Sequence, residues 1–248
     1  MKSEKNIYIS SIYNYCDRWC ERCEYTAQCK LYSMEIERAE ENGSTSQTGM
    51  NDLAKELHKS FADTIKMIEE YAKKFNLEIT SIENVPEVEQ ITTPLSFLSA
   101  KYFKDAAQYL KKLREEIKAA NIETAAISSL LPEYSGRSEL LEILECFEII
   151  QWYHTMIPVK IERAHSSATK SKSYKGDAVK YAIRDADGSA HVAYKSVLKS
   201  MIALGKVHSW TKLLKEETLN LIIDAGRIKT LIEKEFPGAV TFIWPPQD

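Results

Sequence analysis

The stretch that decides the fold is SELLEILECFEIIQWYHTMIPVKIERAHSSA, residues 138–168. Apolar residues recur in it every three or four positions, as in the line formed by Phe147, Ile150, Ile157 and Ile161. This spacing places the side chains on one face of an α-helix, because a helix turns once in about 3.6 residues. The stretch therefore predicts a long amphipathic helix, kinked at Pro158 because proline has no amide hydrogen to donate.

Similar periodicity occurs on both sides of this stretch. It covers residues 52–75, 96–120, 177–208 and 211–236. The stretches between them are polar or contain Gly and Pro, and the longest, 76–95, predicts an irregular connection. Long amphipathic helices with polar connections are typical of an antiparallel bundle. The sequence thus predicts an all-α fold, an antiparallel helical bundle of four to six helices with a small Cys-rich N-terminal segment.

Two parts of the chain are separated by ENGSTSQTGMND, residues 41–52, whose Gly, Ser and Thr content is typical of a linker. We therefore expect a Cys-rich segment at 1–41 and a helical bundle domain at 51–248. The tail AVTFIWPPQD, residues 239–248, is largely apolar, and we expect it to be extended and to dock on the bundle.

The composition is that of an ordinary globular protein: 44% of the 248 residues are hydrophobic and 28% are charged. The 33 basic and 36 acidic residues leave a net charge of −3, whereas general nucleic-acid-binding proteins usually carry a basic excess. The sequence contains neither a signal-peptide pattern nor the run of about 18 apolar residues that spans a bilayer. We expect a cytoplasmic protein without a membrane or general nucleic-acid partner, which binds a protein or a small molecule.

Four of the five cysteines lie close together near the N-terminus, with the spacing C-x3-C-x2-C-x5-C. They are Cys16, Cys20, Cys23 and Cys29. Thiolates are soft anionic ligands, and four of them can enclose a zinc ion or hold an iron–sulfur cluster. A reducing compartment favours a metal site over disulfides. The sequence therefore predicts that the four cysteines ligate an iron–sulfur cluster or zinc, with Arg18, Trp19 and Arg22 beside the ligands.

The first three of these cysteines resemble the C-x3-C-x2-C triplet of the radical S-adenosylmethionine enzymes. Those enzymes carry the triplet in a loop of a β/α barrel, whereas no alternation of strands and helices follows here, and the fourth cysteine indicates full ligation. Two other interpretations remain. The thiols are redox-active in one, and in the other Cys16, Cys20 and Cys23 form the buried face of a short helix through their i, i+4, i+7 spacing.

Four ionisable residues fall on or beside apolar lines of two successive predicted helices. They are Glu148, His154, Asp185 and His191. Burying an ionisable group costs free energy unless the group is paired or bound to a metal. The four residues therefore predict a cofactor-binding pocket between the two helices, for a second metal or a small substrate. The alternative is a set of internal polar groups that hydrogen-bond between helices.

No motif of a known catalytic mechanism is present, and the sequence assigns no reaction and no catalytic residue. A di-iron bundle needs two Glu-x-x-His pairs, and only Glu162 and His165 form one. Gly188 predicts either the close approach of a neighbouring helix or a break in the helix, and packing is the favoured reason. An iron–sulfur cluster would make the protein an electron-transfer or redox-sensing component. Zinc would instead indicate a non-enzymatic interaction or adaptor protein with a structural metal site.

Overall fold

The computed structural model describes residues 8–41, 50–75, 93–130 and 136–245 of the chain. Every regular element within these ranges is helical, which confirms the predicted all-α fold. The helices are α1 (Lys30–Glu41), α2 (Met50–Phe75), α3 (Pro94–Leu130), α4 (Gly136–Ser173), α5 (Asp177–Trp210), α6 (Lys215–Glu235) and α7 (Gly238–Thr241). Three 3₁₀ turns precede α1, at Ile12–Tyr15, Cys20–Arg22 and Thr26–Gln28.

The described residues form two compact units. One lies within Lys30–Gln90 and contains α1 and α2, and the other lies within Met1–Cys29 and Ile91–Asp248. The cysteine-bearing residues group with α3 to α7 in this division, and α2 groups with α1; the expected domains at 1–41 and 51–248 stay a prediction. Periodicity predicts that α2 is an amphipathic helix, but it does not say on which body the helix packs.

Helices α3 to α6 form an antiparallel four-helix bundle, as predicted. Helix α4 packs on α3 and α5, and α6 packs on α5 and α3, so that the four helices close into a ring. The register of α4 and α5 is antiparallel: Tyr153 bonds to Lys199, whereas Arg163, further along α4, bonds to Asp185, which is earlier on α5. The short connection between these helices allows only this arrangement.

The core lies at the centre of this ring. Its largest fully buried side chains include Tyr102, Leu113, Ile150, Ile157, Ile161, Leu204, Ile228 and Ile232. Ile150, Ile157 and Ile161 belong to the apolar line that the sequence predicts for α4. Each buried aliphatic side chain contributes roughly 1.5–3 kcal/mol relative to exposure, so this line supplies much of the driving force for α4 to dock. None of the helices in the described ranges has both the length and the hydropathy that a bilayer span requires.

Helices α3 and α4 are longer than predicted. The structure extends α3 to Leu130, and α4 passes through Pro158 without a break and ends at Ser173. The expected polar loop at 167–177 shrinks to three residues, because Ser171 and Ser173 continue the helix and donate to carbonyls three residues earlier. The predicted connections at 76–95 and 130–137 lie largely outside the described residues.

The C-terminal tail is partly helical, where an extended conformation was expected. Pro237 ends α6 and begins the short helix α7, whose Ala239 is fully buried. His191 Nδ1–H of α5 donates to the Ala239 carbonyl at 2.7 Å, and the Phe242 ring lies 5.5 Å from the His191 ring. The tail therefore docks on α5, as predicted, through one hydrogen bond and one ring contact.

Candidate functional site: the cysteine-bearing arm

The four predicted metal ligands lie in the arm, which we define as residues 8–29. Each of them stands at an end of a 3₁₀ turn: Cys16 follows the first turn, Cys20 begins the second, Cys23 follows it, and Cys29 follows the third. None of the four forms a disulfide, and all four are half-buried. Only Ile12 is a buried hydrophobic residue among the described residues of the arm, so the arm has almost no core of its own.

Local hydrogen bonds organise the thiols. The amide of Cys23 donates to the Cys20 carbonyl at 3.1 Å and closes the second turn. The Cys23 sulfur accepts from the amide of Tyr25 at 3.4 Å, and the Cys16 thiol donates to the Tyr13 carbonyl at 3.5 Å. An amide directed at a sulfur stabilises negative charge there, which is an arrangement that suits a thiolate ligand.

Asp17 is the first anchor of the arm on the bundle. Its carboxylate accepts from the Tyr153 hydroxyl at 2.5 Å and from the Lys199 ammonium at 3.0 Å. Its backbone carbonyl accepts from the Trp152 indole at 2.9 Å. Burial alone would raise the pKa of Asp17, but the bonds from Tyr153 and Lys199 outweigh it and lower that pKa below its ordinary value. Asp17 is therefore held ionised between α4 and α5.

The second anchor is an aromatic stack. The Trp19 ring lies on the Trp152 ring at 5.0 Å, and the Arg22 guanidinium covers the Trp19 ring at 4.1 Å. Arg22 also pairs with Glu148 at 2.7 Å and with Glu145 at 3.3 Å. Stacked rings and a cation over an aromatic face each contribute on the order of 0.5–1 kcal/mol. The predicted neighbours of the cysteines thus attach the arm to α4.

Tyr15 is the third anchor of the arm, and its position explains why residue 188 is a glycine. A Cβ at Gly188 would lie only 2.5 Å from a ring carbon of Tyr15 and 2.9 Å from Phe242, so glycine is required for both to approach α5. The Tyr15 ring also lies edge-on to the Phe242 ring, with 5.1 Å between the ring centroids, and the Trp244 indole of the tail donates to the Ile12 carbonyl at 2.9 Å. A close approach at Gly188 was predicted, but it is made by side chains of the arm and the tail and not by a neighbouring helix, and α5 continues through Gly188 without a break.

Charged groups of both signs influence Cys16 and the half-buried Lys160. Burial, and then the charge of Arg163, lower the pKa of Lys160, whereas Cys16 and Asp185 oppose that change. Burial raises the pKa of the Cys16 thiol, Arg18 and Lys160 oppose that rise, and Asp17 adds to it. The charges on the two sides of this cysteine therefore largely offset one another.

The structure does not gather the four thiols into one ligand set. Across the described ranges, no group of three or more His, Cys, Asp or Glu side chains is arranged to hold a metal ion. The four cysteines share one short arm, and each lies at an end of a 3₁₀ turn. Their assignment as metal ligands stays a prediction, and it is taken up again below as a proposal.

Glu148 is not inside the bundle, so its predicted inward orientation is wrong. Its side chain is 62% exposed and pairs with Arg22 of the arm. Helix α4 carries two apolar lines, and the bundle buries the one through His154, whereas Leu141 and Val159 on the other line are exposed. Both lines have helical spacing, so periodicity alone could not tell which of them faces the core.

The other three predicted pocket residues each have separate partners. His154 is buried, donates from Nδ1–H to the Gln151 carbonyl and stacks on Phe103. Asp185 accepts from Arg163 and Ser167, and His191 bonds to the tail. No two of the four predicted residues share a hydrogen-bond partner in the described ranges. These contacts agree with the alternative of structural polar groups, and the predicted cofactor role of the four residues stays a prediction.

Two grooves are formed elsewhere on the bundle. One, of about 180 Å³, lies between α3 and α6 and is lined by polar residues that include Gln108, Glu217 and Asp224. The other, of about 280 Å³, lies between α3 and α4 over Ile117 and Phe147. Neither contains any of the four predicted pocket residues. The sequence does not predict either groove. Each is lined by residues of two helices, and no sequence spacing links the residues of one helix to those of the other.

Three important side chains of the site, Tyr153, Lys160 and Lys199, were not predicted. Tyr153 and Lys199 hold Asp17, and the charge of Lys160 influences the pKa of Cys16. Lysines on a helix surface are ordinarily solvated, so the sequence contains no signal that distinguishes these two from the others. Their roles depend on how the arm lies on α4 and α5.

Acid is expected to destabilise the fold through His154. Burial lowers the pKa of His154, as it does that of His191. The unfolded chain therefore binds these protons more readily, and the free energy of unfolding falls as the pH drops through about 6.5. His154→Gln should make this fall shallower between about pH 7 and pH 5 in chemical denaturation. Equal slopes for the variant and the parent would contradict the assignment.

The fold and the arm define a class of protein: an antiparallel four-helix bundle that carries a cysteine-bearing N-terminal arm on its α4 and α5 side. Comparisons with models of known protein families, with curated proteins and with solved structures find no match for this chain. What the protein does must therefore be inferred from its own residues.

Proposed function

We propose that the arm binds one metal centre, zinc or an iron–sulfur cluster, through the thiolates of its four cysteines. The single observation that carries this proposal is that four half-buried cysteines, none of them in a disulfide, lie at the turn ends of an arm with only one buried hydrophobic residue among its described residues. Segments too small to bury a core are commonly held by a metal or by disulfides. Thiolate coordination is coupled to local folding, so we expect the turns to tighten around the metal.

Two roles follow from the two metals. An iron–sulfur cluster would make the protein an electron-transfer or redox-sensing component, and the half-burial of the thiols beside Trp19 supports it by limiting solvent access. Structural zinc in a non-enzymatic interaction protein is the second candidate. The three anchors on the bundle favour it, since they give the arm a fixed position that a structural metal would reinforce. Either centre requires reduced thiols, which agrees with a cytoplasmic location.

Anaerobic purification of the full chain, followed by metal and sulfide analysis, tests the proposal. A brown protein with iron and inorganic sulfide would establish the cluster, and a colourless protein with one zinc per chain would establish the structural site. Cys20→Ser should lose most of the metal in either case, because a serine hydroxyl is a poor replacement for a thiolate.

Cys146→Ala is the matched control for this experiment. Cys146 is the fifth cysteine, is 2% exposed and lies in the bundle core on α4, so its removal should leave the metal content unchanged. Full metal occupancy in Cys20→Ser, or equal metal loss in both variants, would refute the assigned ligands.

A further inference from the structure

The groove between α3 and α4 is apolar at its base and polar at its edge. Its volume is about 280 Å³, and the side chains of Ile117, Leu144 and Phe147, which we call the floor, line its base. Ile117 is buried, Phe147 is half-buried, and Leu144 is 38% exposed, so the floor remains accessible from outside. The polar residues that line the groove are all exposed, and they are Arg114, Lys118 and Asn121.

The two cations at the groove differ in their partners. Lys118 pairs with Glu115, one turn earlier on α3, at 2.8 Å. The guanidinium carbon of Arg114 lies 5.4 Å from the centre of the Phe147 ring, and Arg114 pairs with no carboxylate in the part of the chain that the structure describes. A guanidinium can contact a ring and bind a carboxylate at the same time, because its five N–H groups extend outward in one plane. The groove therefore presents one cation without an acidic partner beside an apolar floor.

The size of the groove favours a small molecule over a protein as its occupant. Small-molecule sites usually measure roughly 300–1,000 Å³, and they commonly form between the helices of a bundle. A stable protein interface instead uses about 20–30 residues on each partner. Six residues line this groove, so its extent suits a ligand at the small end of the range.

We propose that the groove between α3 and α4 binds a small amphipathic carboxylate. The apolar part of the ligand lies on the floor, and its carboxylate accepts hydrogen bonds from the guanidinium of Arg114. Burial of the apolar part is not directional, whereas the guanidinium selects a ligand that carries an anion at one end. The groove contains no residue of the arm, so this inference goes beyond the metal centre proposed above and is independent of it.

Decanoate, titrated calorimetrically into the full-length protein, tests the inference. We expect one site per chain and shifts of the amide NMR signals of Ile117 and Leu144. The uncharged analogue 1-decanol should bind more weakly than decanoate. Arg114→Gln should weaken decanoate binding about 10–100-fold, as expected for the loss of a hydrogen bond to a charged group, and should leave the affinity for 1-decanol unchanged.

Three further variants separate the floor from the rest of the surface. Leu144→Gln should weaken decanoate and 1-decanol alike, because it places a polar group in the floor. Leu141→Gln is its matched control, since Leu141 is 61% exposed, lies one turn earlier on α4 and does not line the groove. Lys111→Gln, which removes an exposed cation of α3 outside the groove, is the matched control for Arg114→Gln. Both controls should bind decanoate as the parent does.

Four results would overturn the inference. They are the absence of decanoate binding to the parent, equal decanoate affinity in the parent and Arg114→Gln, amide shifts confined to other parts of the bundle, and equal losses in a variant and its control. Sedimentation of the parent and of Leu144→Gln distinguishes the remaining occupant. Self-association of the parent that Leu144→Gln abolishes would show that a second copy of the chain covers the groove, and would also overturn the inference.

Discussion

Lys101→Met is expected to lower the free energy of unfolding by about 2–3 kcal/mol, because it leaves a buried carboxylate without its strongest partner. The Asp224 side chain on α6 is only 8% exposed, and Lys101 of α3 donates to it at 2.5 Å. Arg227 remains at 3.4 Å, and Lys101 is half exposed, so the loss should stay below that of a fully buried pair. Urea denaturation at neutral pH measures the effect.

The double variant Lys101→Met/Asp224→Asn shows whether the lost charge is the cause. An amide at residue 224 needs no counter-charge, so the double variant should lose less than the two single variants together. Lys112→Met is the matched control, since Lys112 joins the same two helices through an exposed pair with Glu217 at 3.3 Å. Such pairs contribute about 0–1 kcal/mol. Equal losses for Lys101→Met and Lys112→Met would contradict the buried-pair interpretation.

Gly188→Ala is expected to lower the free energy of unfolding by about 1–3 kcal/mol, the usual range for an overpacked site. The added methyl group would overlap the Tyr15 ring of the arm and the Phe242 ring of the tail, and both would have to move away from α5. Near-ultraviolet circular dichroism should change as well, because both Tyr15 and Trp244 lie where the two chain ends meet.

Gly205→Ala is the matched control on the same helix. A Cβ at Gly205 would meet nothing within 4 Å, and alanine is the better helix former. This variant should therefore be unchanged or more stable by up to about 1 kcal/mol. A loss of stability as large as that of Gly188→Ala would show that the cost arises from the helix backbone and not from contact with the arm and tail.

The helices could be predicted from the sequence, and so could the two apolar lines of α4, one of which the bundle buries. Ile150, Ile157 and Ile161 are buried as their spacing predicts, because helical periodicity is a local property of consecutive residues. The four cysteines were recognised as one group for the same reason, since their spacing brings them onto one short arm. Gly188 was correctly predicted as a site of close approach, although its partners, Tyr15 and Phe242, were not.

Which of these residues contact one another was decided by the tertiary structure. It turned Glu148 outward to Arg22, although its line on α4 has the same helical spacing as the buried one. It also placed the arm on α4 and α5, so that Asp17 accepts hydrogen bonds from Tyr153 and Lys199, more than a hundred residues away in the sequence. The spacing of apolar residues along a helix shows which side chains share a face. Which segment packs against that face depends on residues far away in the sequence, and local spacing contains no information about them.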